Sequence, residues 1–304
     1  MSDLINSMVE NDFYKAQTKA LLSKIAHIFK PSEEDLLPFE EAKRLLKPGS
    51  EVYAGMVTVP LEKIVGSEGR YRDFNRHFLP KKEHLKQRWV SIDKTRYQNI
   101  SLPPVRLYEM GGLYFVRDGN HRISVAKTFG QKEIDAEVTS LQSKIRLDQD
   151  MSIEKLKQAV VLYEKKAFYD KTEYLTVTGQ DDLDFTEPGR YDTILEHINV
   201  HKYYLNEQED EEIDFSTAVW SWHENVFSPV VLAIREEKLL QLFPGRTAAD
   251  LYLYIVQHWD ELKHEHHRDI GIGFATRDFK SKAGRKSPSL KDIFMAMAKK
   301  ALGK

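Results

Sequence analysis

Between Val105 and Leu141 the chain reads VRLYEMGGLYFVRDGNHRISVAKTFGQKEIDAEVTSL, and no other segment restricts the fold as much. Two runs of β-branched and aromatic residues flank Gly111-Gly112, the pattern of a hairpin whose turn needs backbone angles that glycine adopts at little steric cost. After Asp118-Gly119 the period changes to that of a helix, which Gly130 ends, and EIDAEVTSL returns as a strand. Upstream, VYAGMVTVPLEKI is again strand-like. The spacing therefore predicts a mixed α/β block over roughly 51–145.

The flanks carry a different pattern. Residues 12–30 place Phe13, Ala20, Leu21, Ile25, Ile28 and Phe29 near one helical face, closed by Pro31. PSEEDLLPFEEAKRLL fits a second short helix with Ser32 as its cap. After Asp150 strands give way to helices, interrupted by the loop TGQDDLDFTEPGRYD. The tail from Arg277 holds nine Lys/Arg against two Asp. The predicted organisation is a helical segment over 1–50, the α/β block over 51–145, a helical domain over 150–275 and a basic tail over 276–304.

Composition sets limits on chemistry. With 304 residues and 41% hydrophobic content the chain can fill a substantial core, and a net charge of -2 places any anion site in a local patch. Cysteine is absent, which excludes disulfides, thiolate metal sites and thiol catalysis. No apolar run approaches a membrane span, and a cytoplasmic location is expected.

Five consecutive residues, Asp118-Gly119-Asn120-His121-Arg122, then stand at a strand-to-helix junction. Glycine there permits positive φ or close approach of a ligand, and Asn120 can cap the helix that follows. Helix N-terminal amides beside an arginine fork suit phosphate, and Asp118 could hold magnesium or orient a hydroxyl. A turn and cap with an Asp-Arg surface pair explains the same five residues equally well. A second cluster lies upstream in GSEGRYRDFNRHFLPKKEHLKQR. It holds Glu68, Arg70, Arg72, Arg76, His77, Lys81 and Lys82, with seven Lys/Arg against two acids from Gly69 to Arg88.

Together, PLEKI followed by GSEGRYR, then a helix, then the hairpin and DGNHR, resemble the N-terminal domain of the ParB/sulfiredoxin superfamily over residues 52–140, under a third of the chain. The resemblance implies a small α+β domain with a mixed sheet, flanked by an N-terminal helical segment and a mainly helical C-terminal region. It also implies a nucleotide site at Gly119, Asn120, His121 and Arg122. Sulfiredoxin's catalytic cysteine would fall at Asn120, so that reductase chemistry is excluded. The box of the archaeal free serine kinases, Asp-Gly-His-His-Arg, differs from DGNHR at one position. By that likeness Glu68 matches a catalytic base, Asp118 a metal or acceptor ligand, His121 a catalytic or phosphate-binding group, and Arg70 and Arg72 charge clamps. Expected cofactors are Mg2+ and a nucleoside di- or triphosphate of unassigned base, such as ATP or CTP. The leading expectation is Mg-dependent NTP hydrolysis or phosphoryl transfer to a small-molecule acceptor. A ParB-like nucleotide switch that regulates transcription or associates with DNA, with homodimerisation open, is the alternative. A scaffold that has lost activity is the third. No later helix offers the basic, polar face of a DNA-recognition helix.

Three further features have plainer readings. His258, His264, His266 and His267 with Asp260 and Glu265 could suit zinc or iron, but a solvated helix end is the favoured reading. Arg246 after Pro244-Gly245 reads as part of a helix-connecting turn. Trp220, Trp222, Tyr252, Tyr254 and Trp259 read as core.

Overall fold

Gly111 and Gly112, at φ 63° and 88°, form the expected hairpin turn, in a computed structural model that describes residues 2–26, 35–207, 211–266 and 271–284. The turn joins β4 (Val105–Met110) to β5 (Leu113–Asp118) as antiparallel neighbours. α4 (Asn120–Thr128) then carries the chain to β6 (Glu133–Leu141), which lies parallel to β4 with Val105 opposite Ala136 and Met110 opposite Leu141. β1 (Leu37–Pro38), β2 (Glu51–Pro60) and β3 (Ile64–Ser67) complete a mixed six-stranded sheet of order β1-β3-β5-β4-β6-β2. The expected α+β class with a mixed sheet is what forms.

Alternation along the central strands separates two cores. Leu107 and Val116 face a cluster with Phe13, Phe74, Phe78, Trp89, Ile92 and Ile123. Their neighbours Tyr108 and Phe115 face Phe39, Leu46, Leu141, Leu156 and Val160. Both faces are thus covered, by α1 (Ser2–Ala26), α3 (Lys86–Tyr97) and α4 on one side, and by α2 (Phe39–Leu46) and the start of α5 (Ile153–Thr172) on the other.

Within the chain, contacts delimit two units, 1–160 and 161–304, with the division inside α5. The first fifty residues supply core side chains to both faces of the sheet. In α1 the buried stripe is Val9, Phe13, Ala16 and Ala20, spaced four, three and four residues apart. Leu21, expected on that face, is 58% exposed, because the stripe continues from Ala20 and the next residue turns outward by about 100°. Ile28, Phe29 and Ser32 fall outside the described residues, as does the Ile25 side chain. Leu37-Pro38, expected inside the second helix, instead pair in parallel with Gly66 and Ser67, and the helix starts at Phe39. Pro38 accounts for the boundary, since it disfavours helical angles in the residue before it and its own position precedes the first turn. α1 lies along α3, where Tyr97 donates to Asp12 at 2.9 Å and Lys86 to Glu10 at 3.0 Å.

The second unit is helical. α6 (Tyr174–Thr178), α7 (Arg190–Asn206), α8 (Phe215–Trp222), α9 (Ser228–Glu236), α10 (Ala248–His266) and α11 (Ile272–Gly284) enclose a core centred on Trp222, Phe227 and Tyr252, whose rings lie within 5.8 Å of one another. Trp220, expected in that core, is 51% exposed on α8, since two residues of helix rotate it about 200° from Trp222. A π turn, His223–Phe227, joins α8 to α9 and holds His223 between Asp182 and Glu224, at 3.2 and 3.0 Å. No described helix is long and apolar enough to cross a membrane.

Candidate anion-binding site

The DGNHR segment meets its sheet and helix as the sequence suggests, with one change. Gly119, at φ 107°, is the residue before the helix, and Asn120 is its first residue with no side-chain cap. A side chain at position 119 would meet Val105 Cγ1 at 2.5 Å, so both the angle and the packing demand glycine. The first intrahelical bond runs from Ile123 N to Gly119 O, at 3.0 Å. The preceding amides of α4 have no intrahelical acceptor and give the helix end its partial positive charge.

These amides open onto a cleft of about 380 Å³ lined by Arg70, His84, Leu85, Arg88, Ile92, Asp118, Gly119, Asn120, His121 and Arg122. Three guanidinium groups and two imidazoles thus share a site with one carboxylate. His84, Arg88 and Ile92 are spaced by four, so a single face running from the turn at Glu83–Leu85 into α3 supplies them. The sequence reading counted Arg88 only within the upstream basic run and assigned no role to His84. Their helical spacing was the available signal, hidden inside a loop-like basic run.

Arg122 is largely enclosed, with a side chain 13% exposed. Its guanidinium donates to the carbonyls of Pro103 and Pro104, at 2.5 and 2.9 Å, and to Asp118 Oδ2 at 2.5 Å. It ties the loop before β4 to the start of α4. Asp118 is 67% exposed. Arg70 bonds Asp73 at 3.2 Å, which Lys82 also holds at 2.9 Å. Arg88 carries no counter-ion among the described residues and is the most available of the three arginines.

His121 packs edge-on to the Phe74 ring, 5.3 Å between centroids. Burial, reinforced by the Arg70 and Arg88 charges, pushes its imidazole down to about 4, so the ring is neutral at physiological pH. Its Nδ1 and the Asn120 Oδ1 are both buried without a hydrogen-bond partner. An imidazole tautomer or an amide rotation converts either position into an N–H donor. Two buried polar groups left unpaired beside a cationic cleft fit an anionic ligand with several acceptor oxygens.

Two assigned residues lie elsewhere. Glu68 does not line the cleft; its carboxylate, after burial itself, raises the phenol of Tyr108 on the other face of the sheet. Arg72 is exposed, with its guanidinium 5.4 Å from the Tyr71 ring. Much of the upstream basic cluster is neutralised, with Arg76 on Asp150 and Lys81 on Asp35 at 2.9 and 2.7 Å. Arg246 donates to Thr186 Oγ1 at 2.5 Å, within the turn before α10.

The residues present suit a magnesium ion only in part. Asp118 is the sole carboxylate of the cleft, and no group of three metal-ligating side chains occurs among the described residues. An ion arriving with polyphosphate oxygens needs no more than one or two protein carboxylates. His258 pairs with Asp278 at 2.8 Å, whereas the side chains of His264, Glu265, His266 and His267 lie outside the described residues.

No family model and no curated protein matches the sequence. Among solved structures the chain is similar to a Pnob8-like ParB-N domain, with 14% identity and a TM-score of 0.22, over 70% of this chain and 83% of that one. It is also similar to a pNOB8-like ParB N-domain, with 12% identity and a TM-score of 0.21, over 84% of this chain and 98% of that one.

Proposed function

We propose that the cleft is a binding site for a nucleoside di- or triphosphate, with the phosphates on the α4 amides, Arg70, Arg88 and the Asn120 and His121 side chains. The observation that carries this reading is the cleft's composition: three guanidinium groups, an open helix N-terminus and two buried unpaired polar groups around about 380 Å³. Leu85 and Ile92 add apolar surface on which a base or ribose can lie. Magnesium would enter with the phosphates and take Asp118 as its protein ligand, in competition with Arg122, and would neutralise charge on the phosphate oxygens.

Within this reading, binding that controls assembly is favoured over turnover, because Glu68 does not line the cleft and Asp118 is engaged by Arg122. Hydrolysis or transfer to a small-molecule acceptor requires a base within hydrogen-bond reach of the nucleophile. Thermal shifts with ATP, CTP, GTP and tripolyphosphate, each with and without magnesium, test the binding. A ligand at a hundredfold excess over its Kd stabilises by about 2.7 kcal/mol. Triphosphates should stabilise more than monophosphates, and unphosphorylated nucleosides not at all. If no polyphosphate stabilises the protein at millimolar concentration, the assignment is wrong. Product analysis on the parent and on Glu68→Gln then separates switch from enzyme: turnover that the substitution lowers a hundredfold at unchanged affinity would restore Glu68 as the base.

A further inference from the structure

The segment between α6 and α7 carries Asp181, Asp182 and Asp184 in close succession and sends Leu183 and Phe185 into the core of the second unit. Like charges so close together are held in place only where each meets a donor. Lys165 of α5 bonds Asp181 and Asp184, at 2.6 and 2.7 Å, and the Tyr169 hydroxyl donates to Asp181 at 2.9 Å. Asp182 is held differently: it accepts from the Tyr174 hydroxyl at 2.8 Å and meets His223 Nε2 at 3.2 Å. His223 is 3% exposed, at the start of the π turn, and its Nδ1 lies 3.0 Å from Glu224 Oε1. Both ring nitrogens therefore face carboxylate oxygens. A neutral imidazole has one N–H and one lone pair, so either tautomer would set a lone pair against a carboxylate; only the imidazolium donates on both sides.

From this geometry we infer that His223 is a buried imidazolium that pins the 180–186 segment to the π turn, and that loss of its proton above neutral pH releases that segment. Tyr174, Asp182 and Glu224 are the titratable groups that face the ring among the described residues, and the Phe227 ring packs against it. Burial pulls the imidazolium down, but the bonds to Asp182 and Glu224 outweigh it and hold His223 above its ordinary 6.5. A histidine raised in this way contributes its full stability below the unfolded value and gives it up as pH rises through the folded one. Burial likewise pulls Lys165 down, and its bonds to Asp181 and Asp184 outweigh that, so it stays charged through the same window. Asp182 is thus the one aspartate of the three whose cationic partner is lost just above neutrality.

The test is hydrogen exchange on the full chain at about pH 6 and pH 9, with each rate divided by the intrinsic rate at that pH. Protection over 180–186 should fall at the higher pH while that of the β4–β5 hairpin holds, and in His223→Gln it should be low and equal at both. Glu224→Gln removes a carboxylate that reaches solvent and should move the midpoint of release to lower pH. NMR of 15N-labelled histidines in the parent gives a reading that needs no variant to fold. His223 should keep both N–H protons at a pH where His197 and His201, which burial pulls down, have lost one. Equal protection over 180–186 at both pH values, or a His223 that loses its proton together with His197 and His201, would overturn the proposal and leave His223 as a neutral core contact.

Discussion

Arg88→Ala separates binding from stability in this protein more cleanly than any change to the DGNHR residues. Arg88 lies on the outer face of α3 beside the cleft, exposed and without a counter-ion among the described residues, so its removal breaks no contact that holds the fold. An exposed substitution of this kind changes stability by about 0.5 kcal/mol or less, or roughly 1–2 °C in Tm for a unit of this size. A charge-assisted hydrogen bond to a phosphate contributes about 1.5–3 kcal/mol, so loss of the guanidinium should weaken triphosphate binding about 10- to 150-fold. Arg88→Lys keeps the charge but loses the two-pronged geometry and should fall between. Titration calorimetry with tripolyphosphate and with ATP reads the affinity, at two salt concentrations because the loss should shrink as ions screen the site. The same substitution removes one of the charges that depress His121, so the imidazole pKa, followed by NMR, should rise. Unchanged affinity in Arg88→Ala, with an unchanged Tm, would refute Arg88 as a phosphate contact.

Three other outcomes follow from the same geometry. Arg122→Ala should lose stability as well as affinity, because it strips donors from the Pro103 and Pro104 carbonyls; at about 1–3 kcal/mol the Tm should drop by roughly 2–12 °C, and a variant as stable as the parent would show the clamp to be idle. His121 sits near 4 in the folded protein and near 6.5 unfolded, so the unfolded chain binds more protons between those values and stability must fall as pH drops through that window, by about 2 kcal/mol from pH 7 to pH 5. Urea unfolding of the parent and His121→Gln at both pH values checks this, the substitution being expected to remove that part of the slope. Gly119→Ala, at φ 107° and with its Cβ against Val105, should cost about 1–3 kcal/mol and displace the α4 amides, read as a joint loss of Tm and polyphosphate affinity; a neutral substitution would contradict the strained junction.

The order of elements in the first unit was legible because its signals are local. The paired glycines at 111–112, the change of period after Gly119 and the stop at Gly130 each depend on neighbours a few residues away. The cluster Gly119 to Arg122 was legible for the same reason, since a strand, a glycine and a helix start are written consecutively. What the sequence could not determine is which distant side chains converge. Arg88 and His84 join the cleft because α3 packs against α4, whereas Glu68, only two residues before Arg70, acts on the opposite face. β3 ends at Ser67, so Glu68 and Arg70 lie in the bend that follows it, where strand alternation no longer sets direction, and a motif read as a string cannot record that divergence. The role of Arg122 likewise awaited the fold, since its carbonyl partners at Pro103 and Pro104 lie eighteen and more residues upstream. Leu21 was placed on the buried face by helical spacing and Trp220 in the core with the other large aromatics, yet helix rotation turns both to solvent. Local sequence determined most of the elements and the chemistry they carry; packing, which sums many weak contacts between segments far apart in the chain, made Leu37-Pro38 a strand and decided which groups face one another.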